Sequence, residues 1–185
     1  MSKEIDYEIR DGVCVITLNN PPVNALGLQL RQGLFEAIGL AIGDDAIRGI
    51  VLCGRGRCFC GGADIKELRQ RPLPPSLPEV IIAIETSRKP FVAALHGIAF
   101  GGGLELSLGC HYRIGAPSVQ VGLPEVSLGL IPGAGGTQRL PRLIGAERGL
   151  NMILNGKPVM AEEALSLGIL DALVEEDSLL DHSIT

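Results

Sequence analysis

Two apolar-rich runs, Ile5 to Arg10 and Val13 to Leu18, flank Asp11-Gly12 near the start of the chain. Asp-Gly between β-rich runs is a strong two-residue turn signal, so the opening predicts a hairpin. Asn19 to Asn24, with Pro21 and Pro22 inside it, breaks the pattern. Ala25-Leu26 then lead into a stretch that sets Leu30, Leu34, Ala37, Ile38 and Ala41 on one helical face, ended by Gly43-Asp44-Asp45. Gly49 to Cys53 is short, continuously apolar and followed by Gly54, as a strand covered on both faces is. A helix between such strands implies a βαβ crossover. Strand, loop and helix recur through Gly61-Gly62, a helix expected to begin near Ile65, and the apolar run Phe91 to Leu95, which together predict an α/β layout.

Between Arg69 and Pro78 four prolines fall within seven positions, a density that excludes a regular helix or central strand. The segment reads as a loop and, since neither side is long enough to hold a core of its own, as a mobile flap over a site rather than a domain linker. Downstream, Pro132 to Thr137 reads as a loop feeding a helix N-terminus. Helical patterns continue over Ala146 to Leu154 and Ala161 to Leu167, and Asp171 to Val174 closes the series. A chain of 185 residues with this pattern fits one domain, 1–185.

Composition removes several classes of function. A net charge of −5 gives no broad electropositive surface, which argues against nucleic acid as a partner and leaves any phosphate site local. Cys14, Cys53, Cys58, Cys60 and Cys110 are odd in number and contain no C-x-x-C pair, so neither a disulfide framework nor a zinc site is expected. Met1 to Ile5 lacks the apolar core of a signal peptide, and no segment approaches about eighteen uninterrupted apolar residues. No membrane span and a cytoplasmic location are the expectation, with a peroxisomal one open for a eukaryotic source.

The chemistry gathers between Phe91 and Arg142. Phe100 is followed by Gly101, Gly102 and Gly103, and a helix pattern starts at once. Three glycines in a row favour close approach of backbone N–H groups to negative charge, permanent or transient. Glu105 lies in the first turn of that helix, among Leu104, Leu106 and Leu108, and Glu125 comes twenty positions later with no acid between them. Singly, Glu105 reads equally well as a helix-dipole carboxylate and Glu125 as a solvated loop residue. Together, two acids embedded in apolar sequence are costly to bury without a task. Two carboxylates held in unequal environments are what acid–base chemistry near neutral pH requires.

Competing motifs fail letter by letter. Gly54-Arg55-Gly56-Arg57-Cys58-Phe59 lacks the third glycine of GxGxxG, Gly133 to Thr137 has the wrong spacing, and no GxxxxGK[ST] occurs. Glu105-Leu106-Ser107-Leu108-Gly109 misses the first glycine of GxSxG, so Ser107 reads as structural despite His96 and His111 nearby. With His182 these histidines form no HExxH and no metal-ligand cluster, and no metal site is expected.

HGIAFGGGLELSLGCHYRIG, VGLPEVSLGLIPGAGGTQRLPRLIG and CFCGGADIKEL resemble, in order and spacing, the enoyl-CoA hydratase/isomerase (crotonase) superfamily. NPPVNAL and GCHYRI resemble most the hydratase portion of the bifunctional hydratase/3-hydroxyacyl-CoA dehydrogenases of fatty-acid β-oxidation. The resemblance implies a crotonase-like α/β fold of repeated β-β-α units. It implies an oxyanion hole from the backbone N–H groups of Ala63 and Gly102, with Glu105 activating water and Glu125 delivering a proton to the α-carbon of a trans-2-enoyl-CoA. It places CoA near Val23, Asn24 and Ala25 and near Asp64, Ile65 and Lys66. Coenzyme A is then part of the substrate, and no separate cofactor is implied. Gly61 stands where relatives often have alanine. Family isomerases rely on the glutamate matching Glu125 alone, so retention of both acids favours hydration and leaves Δ3-Δ2 isomerisation as the alternative. The resemblance further implies a homo-oligomer of trimer type or a covalent dehydrogenase neighbour. It also implies C-terminal helices that Asp181 to Thr185 stops short of, so an inactive acyl-CoA-binding or assembly fragment is the competing expectation.

Overall fold

Asp11 and Gly12 take φ of 49° and 75°, the left-handed pair that a tight hairpin turn needs. They join β1 (Ile5–Arg10) to β2 (Val13–Leu18), antiparallel with Arg10 opposite Val13, at the boundaries the sequence predicts. This is a computed structural model, which describes residues 2–67 and 73–185. α1 (Leu28–Gly43) buries Leu30, Leu34, Ala37, Ile38 and Ala41, the face read from their spacing, and returns the chain to β3 (Gly49–Gly54), parallel to β2.

At Ile65, where a helix is expected to begin, the described residues form a 3₁₀ turn, Ile65–Glu67, and the rest of that expected helix falls on residues outside the described ones. The proline-rich segment also needs correction. Part of the expected flap lies outside the described residues, and Leu77 and Pro78 are the first turn of α2 (Leu77–Glu85). Ser76 caps that helix: its Oγ accepts from the Glu79 amide, and the Glu79 carboxylate accepts from the Ser76 amide at 2.7 Å. This reciprocal box satisfies two otherwise orphaned donors, and proline is tolerated there because a first-turn N–H has no helical partner to lose.

β4 (Phe91–Leu95), β5 (Ile98–Phe100), α3 (Gly102–Leu108), β6 (Tyr112–Gly115) and β7 (Gln120–Gly122) follow, then a 3₁₀ turn, Pro124–Leu128. The chain continues through α4 (Gly136–Ile144), α5 (Ala146–Asn155), β8 (Val159–Met160), α6 (Ala161–Leu167), β9 (Ala172–Leu173) and α7 (Leu179–Ile184). The strands form two sheets, β1-β2-β3-β4-β6-β9 and β5-β7-β8. β4 and β5 are separated only by His96-Gly97 yet belong to different sheets. Gly97 makes the turn at φ 60°, where an added Cβ would strike the Arg57 carbonyl.

β3 shows why its run is apolar throughout. Ile50 and Leu52 pack into the main core with Leu34, Phe59 and Phe91, whereas Val51 faces a second cluster with Val15, Ala94 and Leu179. α7, a helix not foreseen in the sequence, covers that second face. All five cysteines are unpaired thiols.

Candidate active site

Gly101 takes φ 51° and ψ −123°, a conformation open to glycine, and so turns β5 directly into α3. The first amide of α3, on Gly102, comes to lie beside the amide of Ala63. A Cβ at Gly102 would sit 3.4 Å from the Ala63 nitrogen, and one at Gly62 would sit 3.5 Å from the Gly102 nitrogen. Among the described residues neither N–H donates to a backbone acceptor. Two adjacent amides without protein partners are suited to an oxygen that gains negative charge.

Both amides face a cavity of about 520 Å³ that Glu105 and Glu125 also line. The rest of its wall is mainly aliphatic, with Leu26, Leu77, Leu130 and Ile131 prominent. Glu105 is 3% exposed. Its Oε1 accepts from the amides of Ala134 at 2.7 Å and Gly136 at 2.8 Å. Glu125 rides on the 3₁₀ turn and is half-buried, and its Oε2 is enclosed without a hydrogen-bond partner among the described residues.

These surroundings separate the two acids. Burial pushes the Glu105 carboxyl upward, while the Gly136 and Ala134 amides and the Arg139 charge pull against it. Burial also pushes Glu125 upward, opposed only by its own backbone amide, and the charge on Glu105 adds to the rise. Both carboxyls are thus raised, Glu105 with two amides of another segment and a cation favouring its charged form, Glu125 with a neighbouring carboxylate against its own.

A raised carboxyl pKa means that the folded state binds the proton more tightly than the unfolded state. The associated stability is complete below the ordinary carboxylate range and is lost as pH rises towards the folded value. Glu125→Gln removes this loss, so its gain in Tm over wild type is expected to be larger at about pH 8 than at about pH 4.5. Thermal melts at the two pH values decide this, and an equal gain at both would exclude burial of the charge as its cause.

The residues expected to contact CoA divide. Asp64 lines the cavity; Val23, Asn24, Ala25, Ile65 and Lys66 do not. Ile65 and Lys66 are exposed on the 3₁₀ turn, between Asp64 and Glu67 of the cavity wall. The Asn24 side chain is turned into the protein. It is 1% exposed, and its amide nitrogen donates to the carbonyls of Arg55, Cys58 and Phe59 at 2.9–3.1 Å. Its Oδ1 accepts from the Asn20 amide at 3.0 Å, and the backbone stands at φ 51°. Asn24 therefore pins the 20–27 turn to the strand edge that leads to Gly61 and Ala63. Asn24→Ala should cost about 2–4 kcal/mol of stability in urea unfolding, because the buried carbonyls of Cys58 and Phe59 and the part-buried one of Arg55 lose their donor together.

Sequence reasoning missed Arg31 and Glu67. Arg31 is 9% exposed on the buried side of α1, paired with Glu67 at 2.8 Å and donating to the carbonyls of Leu26 and Pro75 at 2.7 and 3.0 Å. Glu67 also accepts from the Leu28 amide at 2.7 Å, at the start of α1. The signal was a charged residue next to Leu30 in the apolar register of the helix. Among the described residues, no cluster of three or more metal-ligating side chains occurs, and no helix is long and apolar enough to cross a membrane.

The enoyl-CoA hydratase/isomerase family model matches residues 8–185. The peroxisomal bifunctional enzyme of Danio rerio is 47% identical over 173 residues, covering 93% of this chain and 24% of that protein. The peroxisomal fatty acid β-oxidation multifunctional protein of Oryza sativa subsp. japonica is 46% identical over 181 residues, covering 94% of this chain and 25% of its own length. The chain thus spans about a quarter of these curated relatives. The crystal structure of an enoyl-CoA hydratase from Bacillus anthracis superposes with a TM-score of 0.92 at 36% identity, over 98% of this chain and 74% of that one. Paired amides, an aliphatic cavity and two glutamates on this shared backbone agree with that match, and the chain belongs to the enoyl-CoA hydratase/isomerase family with its crotonase-like α/β fold.

Proposed function

We propose that this chain hydrates trans-2-enoyl-CoA to 3-hydroxyacyl-CoA. The observation that carries the reading is the convergence of Glu105, Glu125 and the Ala63 and Gly102 amides on one aliphatic cavity. The thioester oxygen takes the two N–H donors, which stabilise the enolate formed when water adds. Ionised Glu105 takes one proton from the water as its oxygen bonds to C3, and protonated Glu125 gives one to C2. One proton enters the pair and one leaves it, so the charge of the pair is unchanged.

The acyl chain runs along Leu26, Leu77 and Leu130. CoA lies outside, over the rim formed by Asp64, Ile65 and Lys66 and the backbone of the Val23 to Ala25 turn. The peroxisomal bifunctional and multifunctional relatives support a place in peroxisomal fatty-acid β-oxidation, with a dehydrogenase portion as covalent neighbour. A trimer-type assembly of this portion is the alternative partnership. The unpartnered Oε2 of Glu125 also suits Δ3-Δ2 isomerisation, in which one carboxyl carries a proton between C2 and C4.

Loss of the enoyl-thioester absorbance of crotonyl-CoA tests the reading directly. Turnover of crotonyl-CoA supports hydration, and turnover of a 3-enoyl-CoA alone supports isomerisation. Binding of acyl-CoA with neither reaction identifies an inactive binding fragment, and absence of CoA binding refutes all three.

A further inference from the structure

Glu105 receives both of its hydrogen bonds from one tight turn, through the amides of Ala134 and Gly136. The other side of that turn is held by Arg139, on the first full turn of α4. Its Nη1 donates to the Ala134 carbonyl at 3.1 Å, and its Nε and Nη2 form a fork on the Glu85 carboxylate of α2 at 3.1 and 2.6 Å. The same Ala134 residue therefore links the guanidinium, through its carbonyl, to the buried carboxylate, through its amide.

Two glycines make this possible. A Cβ at Gly136 would lie 3.0 Å from Glu105 Oε1, and one at Gly135 would run into Arg139 Nη1. Gly135 also stands at φ 100°, in the region that favours glycine. The Gly135-Gly136 pair, useless as a nucleotide loop, is bare backbone between a carboxylate and a guanidinium. The Arg139 side chain is 19% exposed and that of Glu85 50% exposed, so the fork is anchored from the surface.

We propose that Arg139 is a positioning residue for Glu105. It clamps the Ala134 peptide between α2 and α4 so that both amides converge on Oε1, and it sets a fixed positive charge beside that carboxylate. The charged groups that face Glu105 are Glu125 from the 3₁₀ turn and Arg139 from α4, with Asp64, Glu67 and Arg31 elsewhere on the cavity wall. Of these cations Arg139 is the one whose charge lowers the Glu105 carboxyl. Because Leu77 and Pro78 of α2 line the cavity, the clamp also ties the acyl wall to the base.

The inference rests on the hydratase reading of Glu105, and its test separates the two. Two readouts serve: the pH profile of kcat for crotonyl-CoA, and a substrate-free carboxyl ¹³C titration of Glu105, assigned by its absence in Glu105→Gln. Arg139→Met is expected to lower kcat roughly 10- to 100-fold with little change in KM. It should move the acidic limb of the profile, and the Glu105 titration, to higher pH. Arg139→Lys should return the titration towards wild type but not the full kcat, because an ammonium cannot form the fork. An unchanged Glu105 titration in Arg139→Met would overturn the proposal. A wild type that hydrates nothing, together with a titration that Arg139→Met moves, would overturn the hydratase reading and leave the clamp. If Arg139→Met does not fold, Glu85→Gln decides, since it keeps the charge and removes the anchor. A several-fold fall in kcat with no upward move of the acidic limb supports the clamp, and an unchanged kcat refutes it.

Discussion

Glutamine at position 125 is expected to lower kcat for crotonyl-CoA hydration by about 10³-fold, and glutamine at 105 by a similar factor. These fall within the roughly 10²–10⁴-fold contribution of a positioned acid or base. The pH profiles should differ more tellingly than the rates. With Glu105 ionised and Glu125 protonated in the active form, wild-type kcat rises with pH as Glu105 loses its proton and falls as Glu125 loses its own. Glu105→Gln removes the acidic limb and Glu125→Gln the alkaline limb. The assignment follows from their surroundings: Glu105 Oε1 has two amide donors, whereas Glu125 Oε2 has none and feels the charge of Glu105. Loss of the opposite limb in each variant would exchange the two roles.

The second large effect is structural in origin. Gly103→Ala places a methyl against the carbonyl oxygen of Cys60, 2.9 Å from the Cys60 Cβ and 3.1 Å from its carbonyl carbon. Neither side can give way cheaply. Cys60 is held by β5 through its amide to Ile98 at 3.0 Å and its carbonyl from Phe100 at 3.0 Å, and Gly103 is helical backbone. α3 must therefore lift away from the segment that carries Ala63, which separates the Ala63 and Gly102 amides. A stability loss of about 3 kcal/mol or more is expected in urea unfolding. The fall in kcat/KM should be about 10²–10³-fold, as for loss of one oxyanion donor. Gly39→Ala is the control. It lies exposed in α1 with nothing within 4 Å of an added Cβ, so the same change there should stabilise by about 0.5–1 kcal/mol. Equal effects at the two positions would show that contact with Cys60 is not the cause.

Local rules made much of this molecule legible. Asp11-Gly12 set the hairpin, the spacing of Leu30, Leu34, Ala37 and Ile38 set the buried face of α1, and isolated acids in apolar sequence marked Glu105 and Glu125. The proline-rich segment misled because four prolines outweighed the Ser76-x-x-Glu79 signature of a helix start; proline at the second helical position is compatible with it. Asn24 lay in a segment that the family resemblance assigned to CoA. Its side-chain bonds to three carbonyls 31 to 35 positions away depend on tertiary contact that no local pattern encodes. The small sheet was invisible for the same reason: β5, β7 and β8 are three, three and two residues long and find each other only through the fold. Arg139 read as one basic residue among several until α2 brought Glu85 to it.

The partners of Glu105 lie 29 and 31 positions further along the chain. During synthesis the chain grows from its N-terminus at about 5–20 residues per second, so β1 to β4 can begin to pair while those partners are still unmade. For roughly 1.5–6 seconds by that rate, Glu105 has left the exit tunnel while its two amide donors have not. A nascent chain that has reached Gly122 must leave Glu105 in water or neutralise it with a proton. The surroundings of Glu105 are therefore completed only after Gly136 has followed it out, and a ribosome-bound chain should become competent to bind a thioester only once Gly136 has cleared the exit tunnel.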